Sequence, residues 1–147
     1  MRLSKKAEYA LKAVVAMGRR GQGKSMQIQE LSEAEHIPVK FLEQILLALR
    51  KGDVLRSKRG VGGGYQLAKP AAEISLGEIV ELMDGPFIPS SCLEPGKPGR
   101  CGCGRPKPCG IASALAEVQE SVRKVLGRHT VAQVIEREST TVPSFDI

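Results

Sequence analysis

Between residues 85 and 110 the chain places six Gly, six Pro and four Cys in 26 positions. Pro removes backbone donors and Gly raises the entropic cost of order, so no regular element is expected there. This stretch reads as a loop whose order must come from something other than an apolar core. The core must then be assembled from the residues on either side of it. With aromatics at 3% and no Trp, that core is aliphatic, and a protein that stacks bases on exposed aromatic platforms is excluded. No apolar run approaches the roughly 20 residues of a membrane span. The start, Met1-Arg2-Leu3-Ser4-Lys5-Lys6, lacks the apolar stretch of a signal peptide, so a cytoplasmic location is expected. Four cysteines in such a chain point to metal or redox chemistry rather than to a disulfide framework.

Charge is unevenly placed. Residues 1–70 hold 14 Lys and Arg against 6 Asp and Glu, whereas residues 71–147 hold 8 against 10. A basic first half suits a polyanionic partner, and nucleic acid is the commonest one.

The first half also carries the elements for such a partner. Ser4 can cap a helix over 4–18, with Leu3, Ala7, Leu11, Val14, Val15 and Gly18 on one face. The glycines from Gly18 onward are expected to end it. A short helix follows at 28–35. Pro38 then opens another, whose Leu42, Ile45, Leu46 and Leu49 form a buried stripe. The opposite side of that helix carries Lys40, Glu43, Gln44, Leu47 and Lys51. Two short helices joined by a brief turn, the second polar outward, are the pattern of a helix-turn-helix. A basic strand (Val54 to Arg59), a glycine turn (Gly60 to Gly64) and a return strand (Tyr65 to Leu67) then form a hairpin, or wing. The same glycines are no nucleotide loop, because no Gly-Lys-Ser/Thr and no helix follow them. We expect Lys40, Glu43 and Gln44 to approach base edges, and Arg56, Lys58, Arg59 and Lys5 to hold phosphates.

Ser75 is expected to start a further helix, which Gly85-Pro86 breaks. Beyond the cysteine segment, Ile111, Leu115, Val118, Val122 and Val125 are spaced 4, 3, 4, 3. That narrow stripe has the period of a coiled-coil seam and predicts a dimer interface. Thr130 can cap a short last helix. The fold expected is mainly α: a winged helix-turn-helix over 1–84, a cysteine loop over 85–110, a long dimerisation helix plus a short helix over 111–137, and a loose tail over 138–147.

Cys92, Cys101, Cys103 and Cys109 do not have the paired spacing usual for structural zinc. Iron–sulfur clusters accept irregular spacings, because thiolates on a flexible loop can wrap them. Zinc and direct thiol oxidation stay open as alternatives.

Met1-Arg2-Leu3-Ser4, Tyr9-Ala10-Leu11, Phe41-Leu42-Glu43-Gln44-Ile45, Arg59-Gly60-Val61-Gly62-Gly63-Gly64-Tyr65 and Ser75-Leu76-Gly77-Glu78-Ile79-Val80, together with the cysteine loop, resemble the winged-helix regulators of the IscR, NsrR and RirA type. The likeness runs over roughly residues 1 to 136. It implies a homodimeric transcription factor, by default a repressor. Its affinity for a pseudo-palindromic duplex would change with an iron–sulfur cluster that senses redox state, nitric oxide or iron. It also implies three cysteine ligands: Cys92 first, then Cys103 and Cys109 at the family's five-residue spacing. Cys101 is an extra candidate for the middle position. Ala112 stands where some members have a ligating His, and Glu8 matches the early carboxylate that others use as a fourth ligand. Both a 2Fe-2S core and a 4Fe-4S core are compatible. A ferredoxin-type carrier would leave the helix-turn-helix and wing without a role. An enzyme is not indicated, since neither a nucleophile–base pair nor a carboxylate dyad is legible.

Overall fold

The structure is a computed structural model that describes residues 2–96 and 109–140. In chain order it contains α1 (Lys5–Arg20), α2 (Ile28–Glu35), α3 (Val39–Lys51), β1 (Leu55–Lys58), β2 (Gly64–Leu67), α4 (Leu76–Asp84), α5 (Gly110–Arg128) and α6 (Val131–Thr140), with short 3-10 turns at Ala71–Glu73 and Ser91–Leu93. The mainly helical class and, among the described residues, the single antiparallel hairpin agree with the sequence reading.

Helix α1 starts where its cap predicts. The Ser4 hydroxyl accepts from the Ala7 N–H at 3.0 Å, satisfying one orphan donor of the first turn. The Ser4 N–H and hydroxyl both donate to the Asp84 carboxylate, so the end of α4 clasps the start of α1. The buried face of α1 is rich in alanine (Ala7, Ala10, Ala13, Ala16), which lets α3, α4 and α6 approach closely. Leu42, Ile45, Leu46 and Leu49 of α3 are fully buried and form the centre of the core with Met17, Leu31, Ile37 and Ile79. Tyr9 and Phe41 meet edge to face, ring centroids 5.5 Å apart.

The α2–α3 turn is tight. His36 takes a left-handed conformation (φ 55°) at the end of α2, and the Ile37 N–H donates to the Ser32 carbonyl at 3.1 Å. The Ser32 hydroxyl donates in return to the Ile37 carbonyl at 2.5 Å. Gln27, at the N-cap of α2, makes no side-chain cap hydrogen bond.

Three expectations change. Gly18 does not end α1, which continues to Arg20. It is a contact position instead: a Cβ there would lie 2.8 Å from Ile135 Cδ1 and 3.1 Å from Val131 Cγ1. Residues 85–110 were expected to hold no regular element, yet they contain the 3-10 turn at Ser91–Leu93 and the first residue of α5. Helix α6 runs to Thr140, into the segment expected as tail, because it packs back on α1. Val131 is fully buried there, and the Arg19 guanidinium grips the Glu138 carboxylate with two hydrogen bonds of 2.7 and 2.6 Å. That pairing raises the Arg19 pKa and lowers that of Glu138, in both cases mainly through the side-chain hydrogen bond. Thr130 caps α6 as expected, in a reciprocal capping box with Gln133.

Replacing Gly18 with Leu should therefore unseat α6. We expect a loss of about 1–3 kcal/mol, read as a lower thermal midpoint, because extra methylenes would overfill a close-packed contact. Adding Ile135→Ala should restore part of it. A midpoint that rises with Gly18→Leu alone would show that α6 does not bear on this position.

Candidate functional site

The polar side of α3 is set by its apolar side. With four side chains sunk in the core, Lys40, Glu43, Gln44, Leu47 and Lys51 are left exposed. The helix-turn-helix reading thus has its outward face where the periodicity placed it. Directly after α3, the Asp53 backbone (φ 59°) turns the chain, the Val54 N–H donates to the Leu49 carbonyl at 3.0 Å, and β1 begins.

The hairpin pairs Leu55 with Leu67, Arg56 with Gln66, Ser57 with Tyr65 and Lys58 with Gly64. Gly60 and Gly62 take positive φ at its tip, and the Gly63 N–H closes the turn on the Gly60 carbonyl at 2.9 Å. Lys58 and Arg59 are exposed at the tip, as is Val61. On its other edge β2 is braced by Met26, which exchanges both backbone hydrogen bonds with Tyr65 at 2.8 Å. A Cβ at Gly64 would collide with the Met26 carbonyl, so this brace requires glycine. Sequence reasoning missed this brace, because one bridging residue leaves no alternating pattern.

It also missed a contact at the base of the wing. Gln66 is the only buried polar side chain among the described residues. With its amide oriented to suit its neighbours, its oxygen accepts from Arg56 Nε at 2.6 Å and Nη2 at 3.0 Å, and its nitrogen donates to the Gly23 carbonyl at 3.0 Å. The signal was available: a hairpin centred on Val61 sets residue 56 opposite residue 66.

Lys5 and Glu8, given separate roles by the sequence, are partners in the structure. The Lys5 ammonium donates to Glu8 at 3.1 Å, and that hydrogen bond, followed by the carboxylate charge, raises the lysine pKa. Both side chains are well exposed, at 68% and 40%.

Of the four cysteines, Cys92 lies in the Ser91–Leu93 turn with its sulfur 3.0 Å from the Ser90 hydroxyl, and Cys109 is the N-cap residue of α5. Both are half-buried free thiols. Cys101 and Cys103 lie outside the described residues. Among the described residues no three His, Cys, Asp or Glu side chains come together as a metal site. Thiolates are soft donors that suit iron–sulfur clusters and zinc alike, so the donor chemistry fits a cluster without selecting it.

Helix α5 has no buried residue in this single chain. Ile111, Val118 and Val125 are 52%, 46% and 41% exposed, with Leu115 and Val122 half-buried beside them. The adjoining flank of α5 packs on the rest of the chain. The Gln119 amide donates to the Phe87 carbonyl at 2.9 Å, and the Gly77 position of α4 lies against the Leu126–Gly127 backbone. A cleft of about 380 Å³ opens between α4, α5 and the Pro86–Ile88 segment. No helix among the described residues is long and apolar enough to cross a membrane.

Comparison with known proteins agrees with this geometry. The Rrf2 family, described as iron-dependent transcriptional regulators, matches residues 3–137. An HTH-type transcriptional regulator of Mycobacterium tuberculosis is 36% identical over 138 residues, covering 91% of this chain and 81% of the relative. The HTH-type transcriptional regulator IscR of Serratia proteamaculans is 29% identical over 142 residues, covering 97% of this chain and 84% of that protein. Among solved structures, Staphylococcus aureus CymR in its oxidized form superposes with a TM-score of 0.70 at 28% identity, covering 92% of this chain and 97% of the other. With its outward-facing α3 and glycine-tipped wing, the chain belongs to the Rrf2 family of DNA-binding, non-enzymatic transcriptional regulators.

Proposed function

We propose that this regulator is a homodimeric repressor whose grip on a pseudo-palindromic operator is switched by an iron–sulfur cluster on its cysteines. The carrying observation is the order of the elements from α3 to α5. The exposed polar face of α3 is followed directly by the basic, braced hairpin, and the cysteine-bearing segment then leads into α5 with its unburied apolar stripe.

In this reading Lys40, Glu43 and Gln44 meet base edges in the major groove, while Arg56, Lys58, Arg59 and Lys5 meet phosphates. Two copies join along Ile111, Leu115, Val118, Val122 and Val125, which fixes the separation of the two reading helices. Cys92, Cys103 and Cys109 would hold the cluster, with Cys101 the alternative to Cys103 and Glu8 a fourth ligand released from its exposed pair with Lys5. A 2Fe-2S core is the first expectation and a 4Fe-4S core the second. When bound, the cluster supplies a centre sensitive to redox state, nitric oxide and iron supply.

The chain's own bonds transmit the state of the cysteines. Cys92 lies in the segment that Phe87 ties to Gln119 of α5, and Cys109 begins α5 itself. Asp84, one residue before this segment, holds the start of α1. Order between Cys92 and Cys109 therefore bears on both the winged unit and the dimer helix. A state that favours one arrangement shifts operator affinity by its differential stabilisation of that arrangement. The resemblance to IscR-type regulators and the iron-dependent description of the family support the cluster. The likeness to CymR in its oxidized form supports a second reading, in which the same thiols oxidise directly.

Anaerobic reconstitution with iron and sulfide should give a coloured protein, and Cys92→Ser or Cys109→Ser should abolish the colour. A colourless product with bound zinc, or with a reversible disulfide, would overturn the cluster and leave the thiol reading.

Val118→Glu places a charge on the exposed α5 stripe. Sedimentation should then show a monomer, with operator binding weakened by more than tenfold, because two half-sites no longer act together. A variant that stays dimeric would place the interface elsewhere.

For DNA contacts, binding to a duplex selected from a random pool is measured across salt concentrations. Arg59→Ala should lower the salt slope by about one. Gln44→Ala should cost about 1–3 kcal/mol at one base position and change the preference there. If both variants only weaken binding uniformly, the division into base and phosphate contacts fails.

A further inference from the structure

Gln66 raises a question that packing alone does not answer. It stands between Tyr65 and Leu67 on β2, where an apolar side chain would be buried without the cost of an amide. The sequence nevertheless places a primary amide there, and all of its strong bonds go to two groups: the Arg56 guanidinium and the Gly23 carbonyl. Arg56 is an exposed residue on the outer side of the wing. An exposed arginine is normally free to sample many rotamers. Here its Nε–H and one Nη–H are taken in a fork by one amide oxygen, and that amide is fixed at its other end to the α1–α2 turn.

We propose that Gln66 is a positioning residue for DNA binding: it holds Arg56 in one orientation, so that the guanidinium's remaining N–H groups meet a backbone phosphate without further ordering. The proposal rests on the reading of the wing as a DNA-backbone contact. The physical argument is preorganisation. An arginine ordered during folding loses less freedom on binding than one ordered by the phosphate, so the same charge contributes more affinity. The planar fork also fixes direction, which a lysine cannot reproduce. The Gly23 bond extends the effect, because the turn that holds the amide is itself tied to β2 through the two Met26–Tyr65 hydrogen bonds. The wing base and the α1–α2 turn thus form one rigid mount for a single cation.

The test is a double-mutant cycle on the full-length protein, with affinity for a duplex selected from a random pool read across salt concentrations and the thermal midpoint recorded in parallel. Arg56→Ala should weaken binding about tenfold at moderate salt and lower the salt slope by about one. Gln66→Ala should give most of that loss although Arg56 keeps its charge. In the Arg56→Ala background the Gln66 change should add less than twofold. If Gln66→Ala does not fold, Arg56→Lys carries the test: it preserves the charge and should still lose several-fold in affinity. Independent, multiplying effects, or full affinity in either Gln66→Ala or Arg56→Lys, would overturn the positioning role while leaving the wing as a DNA contact. An Arg56→Ala variant with unchanged affinity and slope would overturn both.

Discussion

The burial of Leu42, Ile45, Leu46 and Leu49 fixes the rotational setting of α3, and every surface feature of the winged unit depends on it. Each side chain lost from such a site costs several kcal/mol, about 2–5 for Leu to Ala, so the helix cannot turn about its axis without unfolding its surroundings. A helix period of 3.6 residues then leaves Lys40, Glu43 and Gln44 no orientation but outward. The polar face therefore needs no interactions of its own to be presented, and its side chains stay available for a ligand. The hairpin follows α3 so closely that it inherits the same setting, through the Val54 to Leu49 hydrogen bond and the Ala68 to Val54 hydrogen bond of 2.9 Å.

Local chemistry explains which parts of this arrangement the sequence revealed. Ser4, Ser75 and Thr130 each cap a helix through the residue three positions on, a signal contained in four consecutive residues. The α3 stripe and the hairpin are equally local, since periodicity and a glycine turn declare them. The contacts that escaped are those between distant segments. Gly18 resembles a helix terminator until Ile135 is brought beside it, more than a hundred residues away in the chain. The helix through Thr140 depends on Arg19 reaching Glu138, and neither residue advertises the other. The Met26 brace is a single bridge, too short for any periodicity.

The candidate site divides along the same line. The α3 residues and the wing cations were legible because exposure follows from what must be buried nearby. The pairing of Lys5 with Glu8 was hidden by reading each residue for a separate partner, although a spacing of three on a helix places them side by side. The α5 stripe was legible as an apolar periodicity, and in the single chain Ile111, Val118 and Val125 stay exposed along it. The cysteines were legible as chemistry and not as geometry. Thiol spacing in a Gly- and Pro-rich segment constrains reach far more weakly than it constrains identity.

Helix α6 gives this architecture its mechanical logic. The chain leaves the winged unit after α4, runs out along α5, and returns to the α1 core at Val131. On the way back the Leu76 N–H donates to the His129 carbonyl and the Val131 N–H to the Ile74 carbonyl, both at 2.9 Å. The C-terminal end of α5 is therefore pinned to the winged unit whatever happens at its other end. The N-terminal end follows its N-cap Cys109, and the Gln119 to Phe87 hydrogen bond ties the middle of the helix to the chain after α4. A helix of 19 residues is about 28 Å long at 1.5 Å per residue, so a small tilt about the pinned end becomes a displacement of several ångströms at Cys109. The reverse also holds: chemistry that positions Cys109 acts at the far end of a lever whose fulcrum lies against the core. In the proposed dimer, a tilt of α5 about its pinned end would alter how two copies face a duplex without any change inside the winged unit.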